Sequence, residues 1–140
     1  MKTPRVKSAL LIDDDPIVRR VLSQALRSAG WQVHEAEDGE AGIQMARRER
    51  PSAVICDLLM PRCNGFQVCR ALRGQRAELS PLKIIVTTHR GFATDRLNAF
   101  ESGADHCLVK PVSATDILDL LEGKAGGPTA PAAPAPATPP

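Results

Sequence analysis

No stretch of this sequence approaches the ~20 consecutive apolar residues of a membrane-spanning helix. Near the start the unbroken apolar run is only Ala9 to Ile12. That is also shorter than the ~7–15 residues of a secretory leader's core. No membrane partner is expected, and the chain reads as cytoplasmic. A surplus of charge of one sign is missing too: 18 Lys and Arg against 16 Asp and Glu leave a formal +2. Basic residues do gather at Arg47, Arg48 and Arg50 and at Arg70, Arg73 and Arg76, but acidic or apolar residues interrupt them. A solvated helix face accounts for such spacing, so no nucleic-acid partner is expected. Cys56, Cys63, Cys69 and Cys107 lack the paired short spacing of a zinc site. Free, mostly buried thiols are expected, with Cys63 in a loop as the oxidisable one.

A second hydrophobic core is excluded by length, since 140 residues suffice for one ordinary domain. The domain is expected at residues 5–124. From Gly123 the sequence is almost wholly Gly, Ala, Pro and Thr. It offers no apolar bulk to bury, so residues 125–140 are expected to form a disordered Pro/Ala-rich tail with polyproline II character. No output domain follows in the sequence, which makes a stand-alone unit the expectation.

What is present is an alternation. "SALLI" (8–12), "QVHEA" (32–36), "AVIC" (53–56), "KIIVT" (83–87) and "HCLV" (106–109) read as strands. The first, third and fourth are continuous apolar runs, as central parallel strands covered on both faces require. Helical spacing fills the gaps. Val18, Val21, Leu22, Ala25 and Leu26 form one apolar stripe ahead of Gly30. A second helix over 39–49 turns Ile43, Met45 and Ala46 inward and stops at Pro51. A third over 65–74 uses Phe66, Val68, Cys69 and Leu72, and a fourth over 92–102 uses Leu97 and Phe100 before Gly103. The fifth starts at Ser113, with Asp116 three residues on, and continues through Ile117, Leu118, Leu120 and Leu121. Five strands alternating with five helices predict an α/β fold with a parallel sheet.

In such sheets the chemistry stands beyond the carboxyl ends of the strands. Asp13 and Asp14 follow strand 1, Asp57 follows strand 3, Thr87 and Thr88 end strand 4, and Lys110 with Pro111 follows strand 5. Clustered carboxylates repel unless a divalent ion neutralises them, and Mg²⁺ favours oxygen ligands, often one or two carboxylates with a phosphate oxygen. A carboxylate in line with a phosphodonor can act as nucleophile. Lys110 and the Thr87 hydroxyl would then compensate charge on the phosphoryl oxygens. Asp15 differs from its neighbours: it precedes Pro16, which suits an N-cap with proline at the first helical position.

"LLIDDDP", "VICDLLMPRCNG", "IIVTT" and "CLVKP", in that order, resemble the receiver domain of bacterial two-component response regulators over nearly all of residues 7–122. The stand-alone chemotaxis regulator is the nearest simple architecture. The resemblance implies a flavodoxin-like, doubly wound five-stranded sheet in the order 2-1-3-4-5. It implies Asp57 as phosphoacceptor, Thr87 as switch hydroxyl and Lys110 as the phosphoryl contact, before a proline held cis. For the metal it implies Asp14, Asp57 and the backbone carbonyl of Leu59 as direct ligands, with Asp13 acting through water. Mg²⁺ is the implied cofactor, with Mn²⁺ as a substitute. The implied partners are a histidine kinase or histidine phosphotransfer protein and a downstream protein at the helix 4–strand 5–helix 5 face. The domain would be a signalling phosphoacceptor and not an enzyme working on a metabolite.

Against that pattern, the chain has no tyrosine at all. Cys107 stands where the family often places an inward-turning aromatic, and Val112 where an aromatic commonly follows Lys-Pro. Thr88 replaces a small residue, and either narrows the pocket or simply fits a strand end. The family's acidic pair after Gly-Ala becomes Asp105-His106, which disfavours the dimer face of the winged-helix subfamily. His89, two residues after Thr87, could tune phosphoryl lifetime. Two other readings remain. One is a scaffold that has lost phosphotransfer. The other is an aspartyl-phosphate phosphatase using Asp13-x-Asp15, which Pro16 and the missing downstream motifs disfavour.

Overall fold

The computed structural model describes residues 7–76 and 82–123. The tail expected at 125–140 lies outside the described residues. Ten elements alternate: β1 (Ser8–Ile12), α1 (Pro16–Ser28), β2 (Gln32–Ala36), α2 (Gly39–Glu49), β3 (Ala53–Asp57), α3 (Gly65–Arg76), β4 (Lys83–Thr88), α4 (Ala93–Ser102), β5 (His106–Val109) and α5 (Ala114–Glu122). The strands form one parallel sheet in the order β2-β1-β3-β4-β5. This is the flavodoxin-like arrangement the resemblance implied.

Two half-cores sandwich the sheet. On one face Leu10, Ile12, Val54, Cys56, Ile84 and Val86 pack with Ala46 of α2, Val68 and Leu72 of α3, and Ala99 of α4. On the other, Ala9, Leu11, Ile55, Ile85 and Leu108 pack with Leu22 and Leu26 of α1 and with Ile117 and Leu120 of α5. β1 and β3 are buried at every position, which explains why their sequences are apolar without alternation. β2 is an edge strand in which Val33 and Ala36 are buried and Gln32 is exposed.

The helix ends follow local chemistry. The Asp15 side chain accepts the Ile17 and Val18 N–H groups at 2.9 and 3.3 Å, with Pro16 in the first turn. Asp38 and Ser113 cap α2 and α5 in the same way. Gly103 closes α4 at φ 119°, a left-handed geometry that glycine adopts freely.

Two inward assignments fail. Val21 of α1 is 58% exposed and Leu97 of α4 is 57% exposed. Val21 sits one helical step off buried Leu22, at the edge of an apolar face that i, i+3 spacing cannot tell from its middle, whereas Leu97 lies opposite the face of α4 that buries Asp95, Ala99 and Ser102. Among the described residues no helix is long and apolar enough to cross a membrane.

Candidate functional site

β1, β3, β4 and β5 deliver their last residues to one edge. Asp57 closes β3 and lies beside Thr87 in the β3–β4 register. The loop after β3 is pinned to β4 by the Leu58 N–H donating to the Thr87 carbonyl at 2.8 Å. α3 begins hard against the same strand. A Cβ on Gly65 would fall 2.9 Å from the Asp57 carbonyl oxygen, so only glycine lets this helix start so close to Asp57.

Asp13, Asp14 and Asp57 each offer a carboxylate oxygen within 4.8 Å of the others. Lys110 reaches between them, its Nζ 3.0 Å from Asp13 Oδ2 and 3.5 Å from Asp57 Oδ1. The Lys110–Pro111 peptide bond is cis. The side chains of Lys110, Asp13 and Asp57 are less than a tenth exposed, whereas Asp14 faces solvent. Burial pushes the Asp57 carboxyl above the ordinary carboxylate range; Lys110 opposes that rise and Asp13 adds to it. Burial alone would push Lys110 down, but Asp13 and Asp57 outweigh it and hold its ammonium above the usual lysine value. The centre thus holds three carboxylates and one fixed cation. Such an excess of hard oxygen donors suits Mg²⁺ and offers no soft ligand for a transition metal.

Every polar atom of Asp13 is engaged. Its N–H donates to the Ala36 carbonyl at 3.2 Å and its carbonyl accepts from Arg19 Nη1 at 2.6 Å. Its Oδ1 accepts the Asp15 N–H at 2.9 Å and its Oδ2 accepts from Lys110. Asp15 stands outside the carboxylate cluster and caps α1, so Asp13 and Asp15 do not form the paired site of a phosphatase reading.

The remaining candidates scatter. Leu59, in the loop after β3, is 48% exposed. Thr88 is buried and its hydroxyl accepts the Arg90 N–H at 3.1 Å, which favours the plain fit to a strand end. Cys107 is buried in the core and Val112 packs against the α1–α5 side. His89 lines a groove of about 350 Å³ together with Asp13, Asp57, Thr87, Lys110 and the apolar residues Ile17, Val18, Val21 and Pro111. All four cysteines are free. Burial drives the Cys69 thiol up to about 12 and raises Cys56, Cys63 and Cys107 as well, so none is primed as a thiolate nucleophile.

Two participants escape a reading of the sequence. Arg19 contacts the acidic loop from α1, and Asp95, buried in α4, pairs with Arg90 at 2.9 Å. An arginine on a helix carries no local signal of its partner. Asp95 stood in the first turn of a helix, where an acid is commonplace.

The sequence profile of the response regulator receiver domain matches residues 9–122. Response regulator MprA of Mycobacterium leprae is 38% identical over 109 residues, covering 78% of this chain and 46% of the relative. A probable transcriptional regulator, ycf27 of Porphyridium aerugineum, is 38% identical over 108 residues, covering 77% of this chain and 43% of the relative. The chain therefore spans a little under half the length of these curated relatives. Among solved structures, Vibrio cholerae chemotaxis protein CheY4 superposes with a TM-score of 0.78 at 28% identity, over 85% of this chain and 98% of that one. A putative response regulator from Chloroflexus aurantiacus gives 0.77 at 30% identity, over 85% and 97%.

Proposed function

The chain belongs to the response regulator receiver domain family, and on that premise we propose that it accepts a phosphoryl group on Asp57 from the phosphohistidine of a kinase or phosphotransfer protein. The observation that carries this is the meeting of Asp57 with Asp13, Asp14 and Lys110 at one strand edge. An Asp57 carboxylate oxygen attacks phosphorus, the N–P bond breaks, and the histidine leaves with the bonding electrons. Lys110 lies 3.5 Å from that carboxylate and would follow the charge onto the phosphoryl oxygens. The Thr87 hydroxyl would donate to another of those oxygens. Asp14, Asp57 and the Leu59 carbonyl would hold Mg²⁺ directly, with Asp13 acting through water because its own oxygens are already engaged. The ion supplies neutralising charge, and Mn²⁺ would substitute for it.

Phosphorylation adds roughly 1.5–2 negative charges. The output is a shift between two arrangements of the α4–β5–α5 face, read by a downstream protein. The relatives carry such a domain within longer chains, so the free-standing regulator is also a proposal. The mass of the protein isolated from its source tests that part.

The phosphoacceptor reading is tested by incubation with Mg²⁺ and a small acyl phosphate, followed by intact mass. One added phosphoryl group is expected on the wild type and none on Asp57→Asn. Equal labelling of both overturns the assignment of Asp57, and no labelling of either favours the scaffold.

A further inference from the structure

The metal ligand proposed at Asp14 presents a puzzle of placement. Its side chain faces solvent and, among the described residues, has no hydrogen bond or ion pair of its own. Nothing holds the carboxylate, so its position is set by the backbone that carries it. The peptide plane joining Asp13 to Asp14 contains the Asp13 carbonyl, and that carbonyl is gripped by Arg19 Nη1 at 2.6 Å.

Arg19 is itself held on its other side. Its Nε donates to Glu35 Oε1 at 3.3 Å, and only 17% of its side chain is exposed. The second Glu35 oxygen lies 3.7 Å from Arg27 Nη1, and Arg27 Nη2 donates to the Val33 carbonyl at 2.8 Å. A line of contacts therefore runs from the backbone of β2 through Arg27, Glu35 and Arg19 to the loop after β1. The planar guanidinium is suited to this bridge because it presents donors in two fixed directions, which an ammonium does not.

We propose that Arg19, braced by Glu35, is a positioning residue for the cation site: it fixes the Asp13–Asp14 peptide plane and so aims Asp14. This rests on the phosphoacceptor reading, since it concerns the metal that reading requires. Charge alone predicts the opposite sign. A guanidinium near a divalent cation repels it, so removing a mere charge would tighten binding, whereas removing a brace weakens it.

The test is calorimetric titration of the full chain with Mg²⁺ alone, without phosphodonor, on wild type, Arg19→Met, Arg19→Lys and Glu35→Gln. Partners behind a ligand commonly change metal affinity about 10–100-fold. A rise of about tenfold in Kd is expected for Arg19→Met, with no rescue by lysine and a smaller rise in the same direction for Glu35→Gln. Melting in EDTA checks that each variant is folded. Should the arginine variants not fold, Glu35→Gln, which leaves the guanidinium in place, decides the matter at high ionic strength, where the loss of its negative charge is screened and a rise in Kd over wild type reads the loss of the brace. In labelling by a small acyl phosphate, the Mg²⁺ needed for half-maximal rate should rise, with recovery at saturation. Variants that bind Mg²⁺ as tightly as wild type, or more tightly, overturn the role of Arg19 alone. A wild type that binds no Mg²⁺ overturns the phosphoacceptor reading and this inference with it.

Discussion

At Arg62 the backbone enters the left-handed region, with φ 69°. For a residue with a Cβ that costs about 1–2 kcal/mol. Its side chain is 77% exposed, and its nearest acid, Asp38, lies 3.7 Å away, an exposed pair worth little. Arg62→Gly removes the strain but loosens the unfolded chain, so a net gain of about 0.5–1 kcal/mol is expected in urea unfolding with EDTA present. A lower midpoint would show that Arg62 holds its loop by contacts stronger than the strain. His106 carries a pH dependence. Burial, followed by nearby Lys83, lowers its pKa below the ordinary value, and its buried Nδ1 has no hydrogen-bond partner. The unfolded chain then takes up the proton first as pH falls, so this residue favours the fold near neutrality. That contribution is lost as pH drops through about 6.5 toward the folded value. His106→Gln should flatten this part of the Tm–pH curve between neutrality and mild acid; an unchanged slope would rule the residue out. The three consecutive aspartates show how far single residues are legible. The cap at Asp15 follows from its two neighbours in sequence, Pro16 and the start of α1. The hold on Asp13 does not, because Lys110 lies 97 positions away and Arg19 has no local mark of its target.

α4 begins without the side-chain cap that α1, α2 and α5 carry. Its N-cap position is Phe92, which provides no side-chain cap. Arg90 substitutes from outside: its guanidinium pairs with Asp95 at 2.9 Å and lies 5.1 Å from the Phe92 ring centre. The Arg90 N–H in turn donates to the Thr88 hydroxyl. A continuous link thus joins the end of β4, next to the switch hydroxyl proposed at Thr87, to the first turn of α4. Cys107, too small to act as a moving ring, fills the core beneath. Should Thr87 shift on phosphorylation as proposed, this link is expected to carry the shift to α4. Asp95→Asn should cost about 1 kcal/mol and leave labelling of Asp57 within about twofold of wild type. The change in amide-exchange protection of α4 on phosphorylation should be lost. An α4 response equal to wild type would place the route elsewhere. Element types were legible because the buried strands are unbroken apolar runs and the helices carry caps and stop signals. Val21 was misplaced because its exposure depends on how far neighbouring elements reach, which periodicity does not encode, and Leu97 because α4 buries the small or polar residues Asp95, Ala99 and Ser102, which carry no large apolar signal.

The molecule as a whole divides its two ends. Every strand of a parallel sheet points its carboxyl end the same way, so residues from 13 to 110 meet along one edge. That convergence was legible from strand order and polar strand ends together. The surface around it was not. Beside Asp57 opens the groove between α1 and the segment Lys110, Pro111 and Val112 ahead of α5, and its rim carries Ile17 at 72% and Val21 at 58% exposure. Apolar side chains this exposed contribute little to folding, and they flank the groove that opens on Asp57. They suit the apolar face of a donor helix, which would bring its histidine over Asp57 as they are covered. Central apolar anchors in an interface commonly contribute about 1–2 kcal/mol each, and 1.4 kcal/mol is tenfold in affinity. Ile17→Asp combined with Val21→Asp should therefore slow transfer from a phosphorylated histidine phosphotransfer protein by about tenfold or more at subsaturating donor. Labelling by a small acyl phosphate, which needs no docking surface, should stay within about twofold, and the melting temperature should barely move because both positions are exposed. If both donors slow equally, the substitutions act on the Asp57 centre itself. If neither slows, the donor approaches by another face and the groove serves a different contact.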